Sequence, residues 1–354
     1  MVASLSKLPT LWKTFSDIDI SAIREEAQNT PRLAVVGSAA KTSAFQYLLQ
    51  HGPLSADQLV TAVPSFALPL GAGDLNALAG YDLRIVLVDE AEQLKRDDLA
   101  ALLRQAAPTM IVQEPLRYGQ VTVDPMQGGS ASTRVRSLVL ALDDDKAVKD
   151  NLLPALVQLL PDRETALGRA YPGLRPAVAN RLIQNTGRAN AMYAAGTGLA
   201  EFIPVLGVPF ALADVYILTK NQIIMSYRLG MVMGENGTLT EIIPKIAGVV
   251  GAGFIWRQIA RELVGFLPLG VVLKTAIAYA GTVTTGQAVY HYFTTGERLR
   301  GQDLRQMFSE AIATGRSIAA QTVERVTSGG NHADLSATNG RAPRRKLKLP
   351  FGKR

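Results

Sequence analysis

The chain has 354 residues, of which 47% are hydrophobic, and it contains no cysteine. This length allows two domains, whereas the absence of cysteine excludes disulfides, thiolate metal sites and a cysteine nucleophile. The net charge of +7 equals that of the last fourteen residues, which hold seven Lys or Arg and no acid, so a folded nucleic-acid-binding surface is not expected.

Residues 1–30 predict a short helical lead. The segment SAIREEAQN is typical of a helix, with Ser21 as its N-cap and with Glu25 and Glu26 near the positive end of the helix dipole. The segment before it carries lysines and no long apolar run, which is not typical of a secretory signal. We therefore expect the protein to be synthesised and to stay on the cytoplasmic side.

Residues 31–165 alternate β-rich and helical runs, and the β-rich runs are LAVVG, FALPL, YDLRIVLVD, TMIVQ and RSLVLALD. This alternation indicates βαβ units and a mainly parallel sheet. The acidic run Asp143–Asp145 could be a metal cluster, but we favour a cap for the following helix. Because His51, His291 and His332 lack metal-ligand spacing, we predict no metal site.

The segment RLAVVGSAAKTSAF contains the remnant of a phosphate-binding loop. A working loop has the spacing G-x-x-x-x-G-K-[ST], in which the amides and the lysine hold phosphates and the hydroxyl holds Mg²⁺. Here Gly37 precedes Lys41 by four positions rather than six, and Ala40 replaces the second glycine. The remnant could still bind an anion through Lys41, Thr42 and free helix amides. Alternatively, Ser38 is an ordinary N-cap.

The order of these elements resembles an Era-like GTPase domain, and the resemblance implies two further nucleotide motifs. The D-x-P-G motif of that family corresponds to LPLG at 68–71, so Gly71 is kept and the aspartate is replaced by Leu68. The guanine-reading N-K-x-D motif corresponds to QEPL at 113–116, where Leu116 replaces the carboxylate.

Because three motifs have decayed together, the resemblance implies a P-loop-like fold without GTP hydrolysis. We predict neither a catalytic residue nor a bound cofactor. The vestigial nucleotide-binding residues are Gly37, Lys41, Thr42 and Gly71. The alternative hypothesis is a weakly active GTP-binding protein that uses Lys41 and Thr42.

Residues 166–327 lack strand signals and consist of long apolar helical runs broken by proline and glycine. The segments EFIPVLGV and ELVGFLPLGV share an acid, an apolar turn with proline and a Leu-Gly-Val end. They predict an apolar bundle of helical hairpins with related tips. The tips are Phe202, Ile203, Pro204, Val205, Leu206, Phe266, Leu267, Pro268 and Leu269.

The run from Ala166 to Gly234 resembles the helical domain of unknown function family 697, which commonly follows Era-like GTPase domains in bacteria. The matching features are the Arg-x-x-Pro-x-x-Arg-Pro segment from Arg169 to Pro176, Asn190-Ala191, Ile203-Pro204, Ala213-Asp214, Gln222 and Met225. The resemblance implies association with a membrane and assigns no chemistry.

The helical runs leave the relation to a membrane open. A spanning helix needs about 20 apolar residues, and charged residues interrupt these runs. The tips could dip into one leaflet, or a water-soluble bundle could bury the same residues. Asp214 and Gln222 lie near one helix face. If their helix lies in lipid, both side chains should face protein. Otherwise they are ordinary interhelical hydrogen-bonding residues, which we favour.

Residues 328–354 predict a disordered basic tail because they lack the apolar content to fold. The tail could bind the anionic cytoplasmic leaflet, or it could stay solvated and touch nucleic acid without specificity. Its cations are Arg341, Arg344, Arg345, Lys346, Lys348, Lys353 and Arg354.

These observations predict a bacterial, membrane-associated protein with a degenerate GTPase-like α/β domain and an apolar helical domain. The first domain would be a regulatory or docking module without catalytic turnover. The expected partners are the inner membrane leaflet and an unidentified protein, and a specific nucleic acid is not expected. The alternatives are the weakly active GTPase and a soluble helical adaptor or scaffold.

Overall fold

The computed structural model describes the chain in six stretches, and every structural statement concerns these residues. The fold is mixed α/β, with one parallel sheet and many helices. The described stretches are 18–53, 61–88, 96–115, 134–200, 210–250 and 271–327.

Five parallel strands form the sheet, in the order β2-β1-β3-β4-β5. The predicted mainly parallel α/β arrangement is therefore confirmed. The central strands are apolar runs buried on both faces, as parallel sheets require. The strands are β1 Leu33–Val36, β2 Ser65–Phe66, β3 Leu83–Val88, β4 Thr109–Gln113 and β5 Val135–Val139.

The second predicted strand is much shorter than its sequence suggests. Only Ser65–Phe66 pairs with β1, so the prediction of a strand over FALPL is wrong. The chain turns away at Leu68 and Pro69, and a proline cannot donate a hydrogen bond to a strand ladder.

Twelve α-helices accompany the sheet in the described stretches. In the first part of the chain they are α1 Ser21–Gln28, α2 Ala39–Gln50, α3 Ala72–Leu78, α4 Arg96–Arg104, α5 Asp145–Ala147 and α6 Leu153–Leu159. In the second part they are α7 Glu164–Ala170, α8 Arg175–Ala200, α9 Phe210–Val232, α10 Leu239–Val250, α11 Val271–Thr295 and α12 Gly301–Thr327. We call the sheet with α1–α6 the α/β half and α7–α12 the helical half.

The beginning of α1 differs from the prediction. Ser21 is the first helical residue rather than the N-cap, and its amide and hydroxyl donate to Asp19 Oδ1 at 2.9 and 2.6 Å. These bonds lower the pKa of Asp19. Glu25 and Glu26 lie beyond the first turn, which contains no acid. Their predicted place at the positive end of the dipole is therefore wrong.

The acidic run after β5 acts as a helix cap. Asp144 accepts hydrogen bonds from the amides of Lys146 and Ala147 at 3.1 and 2.9 Å. This is the capping interpretation that the sequence favoured. Among the described residues, no group of three or more His, Asp or Glu side chains could hold a metal ion.

The two faces of the sheet pack against different partners. One face, with Val36, Val86 and Ile111, forms a small cluster with Leu78 of α3 and Leu102 of α4. The opposite face belongs to a large cluster that continues through α2, α6 and α7 into α8, α9, α11 and α12. The α/β half and the helical half therefore share one hydrophobic core.

In the helical half, α11 packs between α8 and α12, and α9 also packs on α8. Glycines bring these helices close together: a Cβ on Gly187 would lie 2.9 Å from Val283, and one on Gly286 would lie 2.6 Å from Ile183. Within the described stretches, no helix has both the length and the apolar character needed to cross a membrane.

Candidate functional site

The carboxyl edge of the sheet is the place where ligands bind in open parallel folds. The chain leaves β1 to form β2 on one side and then returns to form β3 on the other. The crevice between the ends of β1 and β3 is the topological switch point of such a sheet. Gly37 follows β1 directly, so the turn from Gly37 to Thr42 lies at this crevice.

Gly37 is required by the path of the chain. Its φ is +153°, and a Cβ at this position would lie 2.8 Å from the carbonyl oxygen of Leu87 in β3. Its amide donates to the carbonyl of Phe66 at 2.9 Å. Close packing between neighbouring strands therefore accounts for this glycine without a phosphate.

Lys41 forms an internal ion pair at the same edge. Its Nζ lies 2.5 Å from Oε1 of Glu114, and the two side chains are 16% and 40% exposed. Glu114 follows β4, and its amide donates to the carbonyl of Val88 at 3.2 Å. The charge of Lys41 is thus balanced by a carboxylate from the residue that directly follows β4.

Thr42 directs its hydroxyl to the backbone of its own helix. The side chain is buried, and Oγ1 donates to the carbonyl of Ala39 at 3.2 Å. Ser38 occupies the N-cap position, and its carbonyl accepts from the amide of Thr42 at 2.9 Å. The Ser38 side chain, however, makes no capping hydrogen bond.

Gly71 has a separate local role. It precedes α3 as the N-cap residue, and its amide donates to Oδ2 of Asp74 in the first turn at 2.9 Å. The structure thus places Gly37, Lys41 and Thr42 on one turn and uses Gly71 to begin a different helix.

The sequence interpretation missed Glu114 as a partner of Lys41. The signal was present, because an acidic residue directly follows a buried strand in QEPL. Carboxyl ends of parallel strands lie at one edge, so a charged residue there can reach the turn after another strand.

A second polar cluster joins three helices of the helical half. Asn190 on α8 donates to Thr282 Oγ1 on α11 at 2.8 Å, and Gln222 on α9 donates to the same oxygen at 3.2 Å. Asn221 donates to Asn190 Oδ1 at 2.7 Å. Gln222 thus makes an interhelical hydrogen bond. Asp214 lies on α9, but its side chain is outside the described part of the structure.

The segment from Arg169 to Pro176 fastens the two halves together. The hydroxyl of Tyr171 donates to the carbonyl of Pro31 at 2.7 Å, and burial raises the pKa of this phenol to about 12. The fully buried Arg175 donates through Nε to the carbonyl of Gly168 at 3.2 Å and through Nη1 to that of Pro53. Burial lowers the pKa of Arg175 to about 10, so it stays charged at neutral pH.

A group of charged side chains reinforces this junction. Glu26 on α1 accepts from the amide of Thr165 at 2.9 Å and pairs with Arg228 on α9 at 3.2 Å. Arg181 on α8 pairs with Glu164 on α7. Burial raises the pKa of Glu164, although the hydrogen bond and charge of Arg181 act in the opposite direction.

Other predicted site residues lie outside the described residues. They are the hairpin tips at 202–206 and 266–269, the basic tail from 341 to 354, and His332. Their roles stay predictions.

Comparison with known proteins gives no relative for this chain. Neither a protein-family model, nor a curated protein, nor a solved structure matches this chain. The resemblances to Era-like GTPases and to family 697 thus rest on the sequence motifs alone.

Proposed function

We propose that this protein is a membrane-associated regulatory or docking protein whose α/β half is a P-loop-like, GTPase-type domain without catalytic turnover. The observation that carries this proposal is the ion pair between Lys41 and Glu114 at the switch point of the sheet.

The ion pair opposes nucleotide binding, because it neutralises the lysine charge that a phosphate would need. A phosphate-loop lysine contributes by placing a positive charge against the β and γ phosphates. Here a carboxylate of the same chain already lies 2.5 Å from that charge. A phosphate would have to displace Glu114 and would meet its repulsion while it remained nearby.

The hydroxyl and the loop length support the same proposal. The Mg²⁺-binding hydroxyl of a working loop corresponds to Thr42, which is buried and donates to Ala39. The turn between Gly37 and α2 has one intervening residue, Ser38. Such a turn offers few amides to surround a β-phosphate.

The first prediction concerns GTP. In calorimetry of the full chain with Mg²⁺, we expect no GTP binding tighter than a Kd of about 100 μM, or about −5.5 kcal/mol. The variant Glu114→Gln frees the lysine, but we expect it to bind GTP only weakly, because the second glycine and the guanine-reading carboxylate are missing.

The controls for this experiment are lysine variants. Lys41→Ala removes the remnant lysine, and Lys149→Ala removes an exposed lysine that pairs with Asp145, four positions earlier. Micromolar GTP affinity in the wild type that Lys41→Ala abolishes and Lys149→Ala retains would contradict the proposal and favour a weakly active GTPase.

The membrane part of the proposal comes from the sequence. The apolar tips contain proline and glycine without the Asn, Asp or Ser usual in solvated turns. The seven cations of the tail suit an anionic leaflet, where each contributes on the order of 1 kcal/mol. A protein partner docking on the α/β half would then be held at the membrane surface.

The second prediction concerns vesicles. We expect the full chain to float with phosphatidylcholine vesicles that contain about 30% phosphatidylserine, because such vesicles carry a negative surface charge like that of a cytoplasmic leaflet. Replacing the seven tail cations by Gln should reduce the bound fraction several-fold. Replacing Phe202, Ile203, Phe266 and Leu267 by Ser should reduce the fraction that remains bound when about 0.5 M salt screens the tail.

The outcomes of flotation separate the parts of this proposal. Equal binding by the wild type and the Gln variant would remove the tail from the proposal. If the wild type does not bind anionic vesicles at all, the membrane part is wrong and the soluble adaptor is favoured.

A further inference from the structure

A cavity lies at the amino edge of the sheet, opposite the edge that carries Gly37. It has a volume of about 210 Å³ and lies where β4 and β5 begin and α4 ends. Arg104, Gln105, Thr109 and Arg134 provide its polar lining. Because the two edges are separate, ligand binding in this cavity does not depend on the proposed function.

A fully buried arginine lies beside this cavity. Arg84 on β3 is the register partner of Thr109 on β4. Its Nη1 donates to Oε1 of Gln105 and its Nη2 to the carbonyl of Ala107, and both acceptors belong to residues that line the cavity. Both acceptors are neutral, and no carboxylate in the described stretches forms an ion pair with Arg84.

Within the described stretches, this arrangement leaves a buried positive charge without a counter-charge. Burial of an unpaired charge is costly, and burial lowers the pKa of the Arg84 guanidinium accordingly. Two more guanidinium groups, those of Arg104 and Arg134, line the cavity, and the described residues of its lining include no carboxylate. The charge balance therefore favours an anion.

Among the residues that the structure describes, two buried polar groups beside the cavity lack a hydrogen-bond partner. They are Nε of Arg84 and Oγ1 of Thr109, which lie on neighbouring strands at paired positions. Each can donate a hydrogen, and a buried donor without an acceptor costs about 1–3 kcal/mol. Thr109 is one of the residues that line the cavity, so an acceptor-rich group bound there would lie next to the residue that carries this hydroxyl.

A purely structural role explains only part of this geometry. Arg134 donates to the carbonyl of Ala106 at 3.3 Å and Arg84 to that of Ala107, so both cations lie at the negative end of α4. This role requires neither a cavity nor a buried threonine hydroxyl without a partner.

We propose that this cavity binds a compact oxyanion, the phosphate or carboxylate group of a small molecule. The hydroxyl of Thr109 and the guanidinium groups of Arg104 and Arg134 hold its oxygens. Arg84 supplies the buried positive charge behind them.

Calorimetry of the full chain tests this proposal. Inorganic phosphate and succinate are titrated separately, with sodium chloride added so that ionic strength stays constant. We expect saturable binding of at least one probe with a Kd of about 1 mM or tighter. Binding of phosphate alone would identify a phosphate site, and binding of succinate alone a carboxylate site.

Two conservative variants connect that binding to the cavity. Thr109→Val removes the hydroxyl with little change in volume, and Arg104→Gln removes an exposed charge, so both should fold with nearly unchanged melting temperatures. Each should weaken binding at least about tenfold, since a hydrogen bond to a charged group is worth about 1.5–3 kcal/mol. The matched control is Arg136→Gln, an exposed position on β5 that does not line the cavity, and it should bind normally.

Three results would overturn the proposal. One is the absence of saturable binding of both probes to the wild type. Another is equal affinity in Thr109→Val, Arg104→Gln and Arg136→Gln. The third is loss of binding in Lys41→Ala, because that result would place the anion at the opposite edge of the sheet.

Discussion

We expect Gly173→Ala to destabilise the protein by at least about 3 kcal/mol, near the upper end of single-site effects. A Cβ on Gly173 would lie 1.9 Å from the carbonyl oxygen of Leu48 and 3.1 Å from the Cα of Leu49. Both are backbone atoms of α2, so no side-chain rotation can relieve the overlap. Thermal and urea unfolding of the purified variant measure the loss.

A second glycine, Gly52, lies where the segment of Gly173 crosses the end of α2. A Cβ on Gly52 would lie 2.1 Å from the carbonyl oxygen of Pro172. Two backbone segments, one at the end of α2 and one at the entry to the helical half, therefore touch through residues without side chains. Any added Cβ must separate the halves and open their shared core.

Gly196→Ala is the matched control for this prediction. Gly196 is an exposed residue of α8, and a Cβ there meets nothing within 4 Å. Alanine in a helix is better than glycine by about 0.5–1 kcal/mol, so this variant should be as stable as the wild type or slightly more stable. If Gly173→Ala unfolds at the wild-type urea concentration, the crossing is looser than the structure indicates.

The second large effect is expected for Arg175→Met, with a loss of about 3 kcal/mol. The substitution leaves the carbonyls of Pro53 and Gly168 without their donors, and each buried unsatisfied group costs about 1–3 kcal/mol. Relief of the burial of the guanidinium, which lowers the pKa of Arg175 to about 10, offsets part of this cost. Urea unfolding measures the net change.

Two further variants separate charge from geometry at this position. Arg175→Lys keeps the positive charge, but its single ammonium group cannot replace both Nε and Nη1 of the arginine. Its stability should therefore lie between those of Arg175→Met and the wild type. Arg298→Met removes an exposed arginine and should change stability by no more than about 0.5 kcal/mol. Wild-type stability of Arg175→Met would mean that the burial cost cancels both hydrogen bonds.

The sheet could be predicted from the sequence because its central strands are mainly apolar runs. LAVVG, YDLRIVLVD and TMIVQ each contain the strand that the structure shows. The prediction failed for FALPL, where apolar character was mistaken for pairing and Pro69 limits the ladder. It failed at Ser21 by one position, because Asp19 rather than the serine accepts the first hydrogen bond.

The candidate site could be predicted in part. The sequence identified Gly37, Lys41 and Thr42 as one turn at the end of a strand. It did not pair Lys41 with Glu114, which lies 73 positions later and reaches the lysine only because β4 ends at the same edge. Neither Arg84 nor Thr109 belongs to a sequence motif. They stand out only because both are buried and because they are register partners on neighbouring strands.

The sequence by itself determined the alternation of strands and helices, the parallel sheet and the change to long helices, because these depend on local composition and spacing. Only the tertiary structure decided which charges pair, which glycines lie at backbone crossings and which buried donors lack acceptors. Those properties depend on distances between residues far apart in the chain. The chain topology sets these distances, and neither hydrophobic period nor motif spacing encodes them.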